Sequence, residues 1–118
     1  MKITGQAVLL RVFVGESDKL GHIPLYEAVV RRARDADLAG ATVLKGVMGF
    51  GATARIRTQK ILDLSSDLPI LIEIVDEHEK IEQFQSILSD LFKKACCGGL
   101  VTLENIRVVH YLPGNNNE

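Results

Sequence analysis

No stretch of this 118-residue chain approaches the roughly 20 consecutive apolar residues that a bilayer-spanning helix needs. Direct insertion into a membrane is therefore not expected. The opening Met1-Lys2-Ile3-Thr4-Gly5-Gln6 is too polar for a secretory leader, and the apolar run behind it contains Arg11. The expected compartment is the cytoplasm. Charge of one sign is lacking too: 14 Lys and Arg against 15 Asp and Glu leave a net charge of −1. That balance offers no bulk attraction to nucleic acid. Cysteine is scarce. Cys96 and Cys97 are adjacent, an arrangement that rarely bridges, and no other thiol exists to pair with them. They read as two small half-buried residues at a helix end, with a soft-metal or redox role as the alternative. His22, His78 and His110 lack metal-ligand spacing to any Cys, His or carboxylate. Glu77, Glu79, Glu82 and Asp90 read as a solvated helix face, so no metal site and no catalytic residue is assigned.

What is present suits one packed α+β domain over residues 1–118. The chain is 13.0 kDa and 47% hydrophobic, enough for a single core. Residues 6–14 are β-branched and aromatic, hence a strand. Gly15 to Gly21 reads as a polar loop. Pro24 suits the first turn of a helix, whose apolar positions are Leu25, Ala28, Val29, Ala33 and Ala36, with Gly40 as its stop. Ala41 to Leu44 begins a second strand that runs into residues 46–51. Residues 60–64 form a short strand and 65–67 a turn, and Leu68 to Val75 is a strand buried on both faces. Asp76 with Glu79 resembles a capping box for a second helix. That helix carries Ile81, Phe84, Leu88, Leu91 and Ala95 on one stripe and is stopped by Gly98-Gly99. Leu100 to Leu112 is the last strand, and 113–118 is a disordered tail.

The order β-α-β-β-α-β is the ferredoxin-like split βαβ motif. Strands one and three occupy the centre of an antiparallel sheet with both helices on one face. Period-two alternation then pairs Arg11 with Glu73. It also leaves Leu9, Phe13, Leu71, Val75 and Val109 on the other face, too apolar for water, which predicts a homo-oligomer. The Gly-rich Gly46-Val47-Met48-Gly49-Phe50-Gly51 follows a strand without opening a helix, so it matches no dinucleotide fingerprint or phosphate loop. It is a ligand-cradling loop or a strand-end bulge. Arg55, Arg57 and Lys60 follow it, and make either a solvated basic loop or an anion contact. With few apolar anchors, residues 52–60 are expected to be mobile without a ligand or partner.

Several of these segments resemble PII signalling proteins. Gly40-Ala41-Thr42-Val43 with Gly49-Phe50-Gly51 is similar to their second strand and T-loop base, Ile72-Glu73-Ile74-Val75 to their third strand, and residues 103–109 to their fourth. Residues 9–16, 24–27, 46–51 and 99–103 resemble more closely a PII-like group catalogued as domain of unknown function 190. The resemblance implies a homotrimer, packed sheet to sheet, with an adenine nucleotide between subunits. It puts Thr42, Gly49, Gly51, Glu73 and Val75 at the adenosine end and Gly98 in a phosphate-binding loop. Phe50 and Gly99 adjoin these, and Arg55 and Arg57 stand in as phosphate contacts. The family's basic residue after Gly98 is Gly99 here, two arginines of its last strand are His110 and Leu112, and its modifiable loop tyrosine has no counterpart. A less charged ligand, AMP, ADP or cyclic AMP, is implied in place of a triphosphate. The implied role is regulatory rather than enzymatic, with the 46–60 loop acting on a membrane transporter or an enzyme. The alternatives on this topology are a small-molecule or metal sensor and, behind it, a small α+β-barrel enzyme, for which only Glu73 offers an acid or base.

Overall fold

The computed structural model describes residues 4–52, 54–58 and 67–114. Strand β1 (Gly5–Gly15) is followed by a small hairpin, β2 (Lys19–Leu20) with β3 (Ile23–Pro24), and helix α1 (Leu25–Asp35). Next come β4 (Gly40–Lys45), a second small hairpin of β5 (Met48–Gly49) with β6 (Arg57–Thr58), and β7 (Pro69–Asp76). Helix α2 (His78–Ala95) and β8 (Leu100–Val108) complete the chain. Antiparallel pairing gives the sheet order β4-β7-β1-β8, so the first and third long strands are central, as the split motif requires. Among the described residues no helix is long and apolar enough to cross a membrane.

Alternation in the central strands decides which face is buried. Val8, Leu10, Val12 and Val14 of β1 and Ile70, Ile72 and Ile74 of β7 point into the core. There they meet Leu25, Val29 and Ala33 of α1 and Ile81, Phe84, Leu88 and Leu91 of α2, spaced three and four apart. Each large side chain so buried contributes about 1.5–3 kcal/mol relative to exposure. The intervening residues face away from the helices. Leu9, Phe13, Leu71 and Val75 lie on an open face that no described element covers, with Phe13 still 38% exposed and Val109 83%.

Element ends differ from expectation in instructive ways. Pro24 is the N-cap of α1 rather than a first-turn residue. Gly40 does not stop that helix: Ala36 caps it, Asp37 takes the left-handed conformation (φ 62°), and Gly40 opens β4. Gly98 and Gly99 do not stop α2, because Cys96 is the left-handed C-cap (φ 54°). No capping box forms, since Glu77 is the N-cap without a side-chain bond and the Asp76 carboxylate is spent elsewhere. The Gly15–Gly21 loop and the 46–51 segment each contain a strand of a small hairpin. The strand expected over 60–64, residues 65 and 66, and positions 115–118 of the expected tail lie outside the described residues.

The last strand is shorter than its apolar pattern suggests. It ends at Val108, which pairs with Gly5, the first residue of β1.

Candidate functional site

At the end of the sheet where β4 begins, the open face dips into a groove of about 460 Å³. Its floor is Leu9 of β1, Glu73 and Val75 of β7, and Thr42 of β4, with Ile106 and Val108 of β8 beyond. The register explains the cluster: Thr42 lies opposite Glu73, Gly40 opposite Val75, and Val75 opposite Leu9. Period two then turns these side chains to one face. Three of the sequence-predicted site residues, Thr42, Glu73 and Val75, therefore meet in one place.

Glu73 is already engaged there. Arg11 Nε donates to its Oε2 at 3.0 Å, while Arg11 Nη1 donates to Glu104 Oε1 at 2.8 Å. The Arg11–Glu73 pair was readable from alternation; Glu104 was not, because it depends on the β1–β8 register. The two carboxylates hold the guanidinium above its ordinary range. Two acids share one base, so the middle of the open face carries a net negative charge.

One rim of the groove comes from residues the sequence did not single out as site residues. Beyond β8 the chain turns back across the sheet end, bringing His110 and Tyr111 into the lining. The Tyr111 hydroxyl donates to the Ala39 carbonyl at 2.6 Å, across 72 residues of sequence. Ala39 is held from its other side as well. Its N–H donates to Asp76 Oδ2 at 2.8 Å, and the Glu77 N–H donates to Oδ1 of the same carboxylate. Asp76 is fully buried.

The remaining predicted residues sit elsewhere. Gly49, Phe50, Gly51 and Arg55 belong to the hairpin past the far end of β4. Gly98 and Gly99 precede β8, at the same sheet end but on the opposite edge strand. Three strand spacings, about 14 Å, separate those edges, so the two glycine pairs do not face one site within a single chain. Neither Gly49 nor Gly51 has a positive φ. What the hairpin needs from its glycines is room over Pro69: a Cβ would lie 2.9 Å from the Pro69 ring at Gly46 and 3.2 Å at Gly49, whereas Gly51 stands in open space.

The hairpin is clamped at its base. Lys45 reaches Glu16 at 2.6 Å, and Arg57 Nη1 donates to Asp67 Oδ1 at 3.1 Å. A Cβ on Gly15 would sit 1.9 Å from Arg57 Nη1, so the missing side chain there makes the slot that Arg57 fills. Arg57 is thus a structural pin, while Arg55 is exposed and forms no ion pair among the described residues. Of the segment expected to be mobile, residue 53 and residues 59–60, including Lys60, lie outside the described residues; Arg57–Thr58 is paired with β5. Past the clamp the hairpin is apolar and bare: Val47, Met48, Phe50 and Ile56 are each more than half exposed.

The thiols differ. Cys96 is exposed, whereas burial together with the neighbouring Asp18 carboxylate pushes the Cys97 thiol up.

Residues 7–108 match the family described as Uncharacterized ACR, domain of unknown function 190. A UPF0166 protein of Aquifex aeolicus is 39% identical over 86% of this chain and 92% of its own length. A UPF0166 protein of Methanocaldococcus jannaschii is 29% identical over 87% of this chain and 92% of its own. Among solved structures, CPII from Thiomonas intermedia K12, a nitrogen regulatory PII-like protein bound to ADP, AMP and bicarbonate, superposes with a TM-score of 0.67. It is 17% identical, and the match covers 89% of this chain and 90% of CPII. At that identity the likeness concerns the fold, which is PII-like.

Proposed function

This chain belongs to the PII-like family described as Uncharacterized ACR, domain of unknown function 190, and from that premise we propose that it is a regulatory protein which binds an adenine nucleotide and acts on a partner protein. The observation that carries this reading is the groove. Thr42, Glu73 and Val75, assigned to the adenosine end by resemblance, converge on one hollow of about 460 Å³, a volume in the range of small-molecule sites. CPII, with the same fold, is bound to ADP and AMP. Leu9 and Val75 on its floor suit a purine ring. Of the two arginines put at the phosphate by resemblance, Arg55 is the one without an ion pair among the described residues, so a mono- or diphosphate or cyclic AMP fits better than a triphosphate.

In this reading the site is completed between copies. Gly49 and Gly51 of one subunit and Gly98 and Gly99 of the next can share a phosphate only if neighbouring sheets meet. The bare apolar face of Leu9, Phe13, Leu71 and Val75 favours such packing. The assembly is a homotrimer, expected in light scattering at three times the 13.0 kDa chain mass; a monomer at micromolar concentration refutes it. The 46–60 hairpin, with Val47, Met48, Phe50 and Ile56 exposed, is the surface offered to the target, a membrane transporter or an enzyme.

Isothermal titration with AMP, ADP, ATP and cyclic AMP tests the ligand. Binding by at least one of the first, second or fourth is expected. Arg55→Ala should weaken it about tenfold or more if the contact is a charged hydrogen bond. Arg57→Ala should act through the hairpin base instead. If none of the four gives heat at millimolar concentration, the nucleotide reading is wrong.

A further inference from the structure

We propose that residues 109–112 form a strap that serves as the outer wall of the groove, and that Tyr111 is the latch that sets it, so that closing the strap and holding a ligand are one event. The ligand half of this rests on the adenine-nucleotide reading above.

Among the described residues the strap has no ladder to hold it. Val108 is the last residue of β8 with a partner on β1, and Val109 and Leu112 are 83% and 63% exposed. Among the described residues, the side-chain hydrogen bond that fastens the strap is the one from the Tyr111 hydroxyl to the Ala39 carbonyl. That bond spans the width of the sheet, from the β8 edge to the residue before β4 at the other edge. Three strand spacings make about 14 Å. The backbone from Val108 to Tyr111 reaches at most about 11 Å, so the tyrosine side chain has to supply the rest. Its anchor does not yield, because the Ala39 N–H is fixed to the buried Asp76 carboxylate.

The latch is also part of the lining. Tyr111 and His110 border the groove opposite Leu9, Thr42 and Val75. A tyrosine ring there offers a flat aromatic surface to a planar base, and base–aromatic stacking tolerates any base. Occupancy and latching then reinforce each other, and linkage requires the effect to be mutual. Tyr111 is thus a positioning residue whose substitution moves affinity and strap exchange together.

The chain has no tryptophan and two tyrosines, Tyr26 and Tyr111, so in a Tyr26→Phe background the emission comes from Tyr111 alone. ADP should quench that emission with the midpoint found by calorimetry. Tyr111→Phe should weaken ADP about two- to fivefold and Tyr111→Ala at least tenfold, with thermal melting little changed. Amide exchange over 109–112 should be slower with ADP than without, and faster in ligand-free Tyr111→Phe than in ligand-free wild type. ADP heat with unchanged emission and equal affinity in all three proteins overturns the coupling and leaves the nucleotide reading standing. No heat with ADP at millimolar concentration removes the coupling together with that reading. Equal ligand-free exchange in wild type and Tyr111→Phe overturns the latch itself.

Discussion

Asp76→Ala is expected to lower the free energy of unfolding by about 2–4 kcal/mol, seen as a lower urea midpoint at unchanged m-value. The carboxylate is fully buried and accepts from two backbone amides, those of Ala39 and Glu77. It therefore joins three elements: the end of β7, the start of α2, and the turn that leads into β4. Truncation to alanine leaves both amides without their acceptor and opens a small void, and each orphaned donor costs about 1–3 kcal/mol. Asp76→Asn keeps one acceptor oxygen and should lose roughly half as much. Because Ala39 also carries the Tyr111 bond, strap exchange should accelerate in Asp76→Ala well below the unfolding transition. A midpoint within error of wild type would show that the buried carboxylate is not a structural tie.

Gly99→Val should be destabilising by about 1–3 kcal/mol through overpacking, while Gly98→Ala should change stability by no more than about 0.5 kcal/mol. A Cβ at Gly99 would stand 2.7 Å from the Phe92 ring and 2.9 Å from the Phe13 carbonyl oxygen. The ring can shift by a few tenths of an ångström. The carbonyl cannot, because it belongs to central strand β1 where Phe13 pairs with Leu100. At Gly98 an added methyl meets nothing within 4 Å. Thermal melts of the two variants separate the roles of these neighbours. Gly99 is a packing glycine, and Gly98 is the one at which a ligand's approach can be probed without unfolding the chain. Equal melting temperatures for the two would contradict this division.

The fold was legible because its strongest signals are periodic. Alternation through Leu9, Arg11 and Phe13, and through Leu71, Glu73 and Val75, marks both central strands and pairs Arg11 with Glu73, the pair the structure holds at 3.0 Å. Three of the groove residues were found through the family resemblance, not through any property of their own. Less legible were the features that depend on where chains stop. Glycine marked the wrong positions at both helix ends, since Asp37 and Cys96 accept the left-handed conformation there. Asp76 looked like a cap because local spacing does not reveal Ala39, 37 residues away. Tyr111 was absorbed into a strand because its alternation continues; the register, in which Gly5 opposite Val108 is the last pair, leaves it no strand partner among the described residues. The tie of Arg57 to Asp67 was not legible either, since its slot is made by a missing side chain at Gly15, distant in sequence.

The placement of β8 beside β1 sets an order on synthesis. Strand β1 emerges first from the ribosome and acquires β7 on one side once residue 76 has emerged, but its other side waits for residues 100–108. About 85 residues separate Gly15 from Leu100. At roughly 5–20 residues per second, that gap amounts to about 4–17 s during which β1 cannot be flanked on both sides. An unpaired edge is where a nascent chain recruits the wrong strand. The last strand made is thus the one that closes the sheet, and cleavage anywhere in residues 100–108 would return β1 to the exposed state of the unfinished chain.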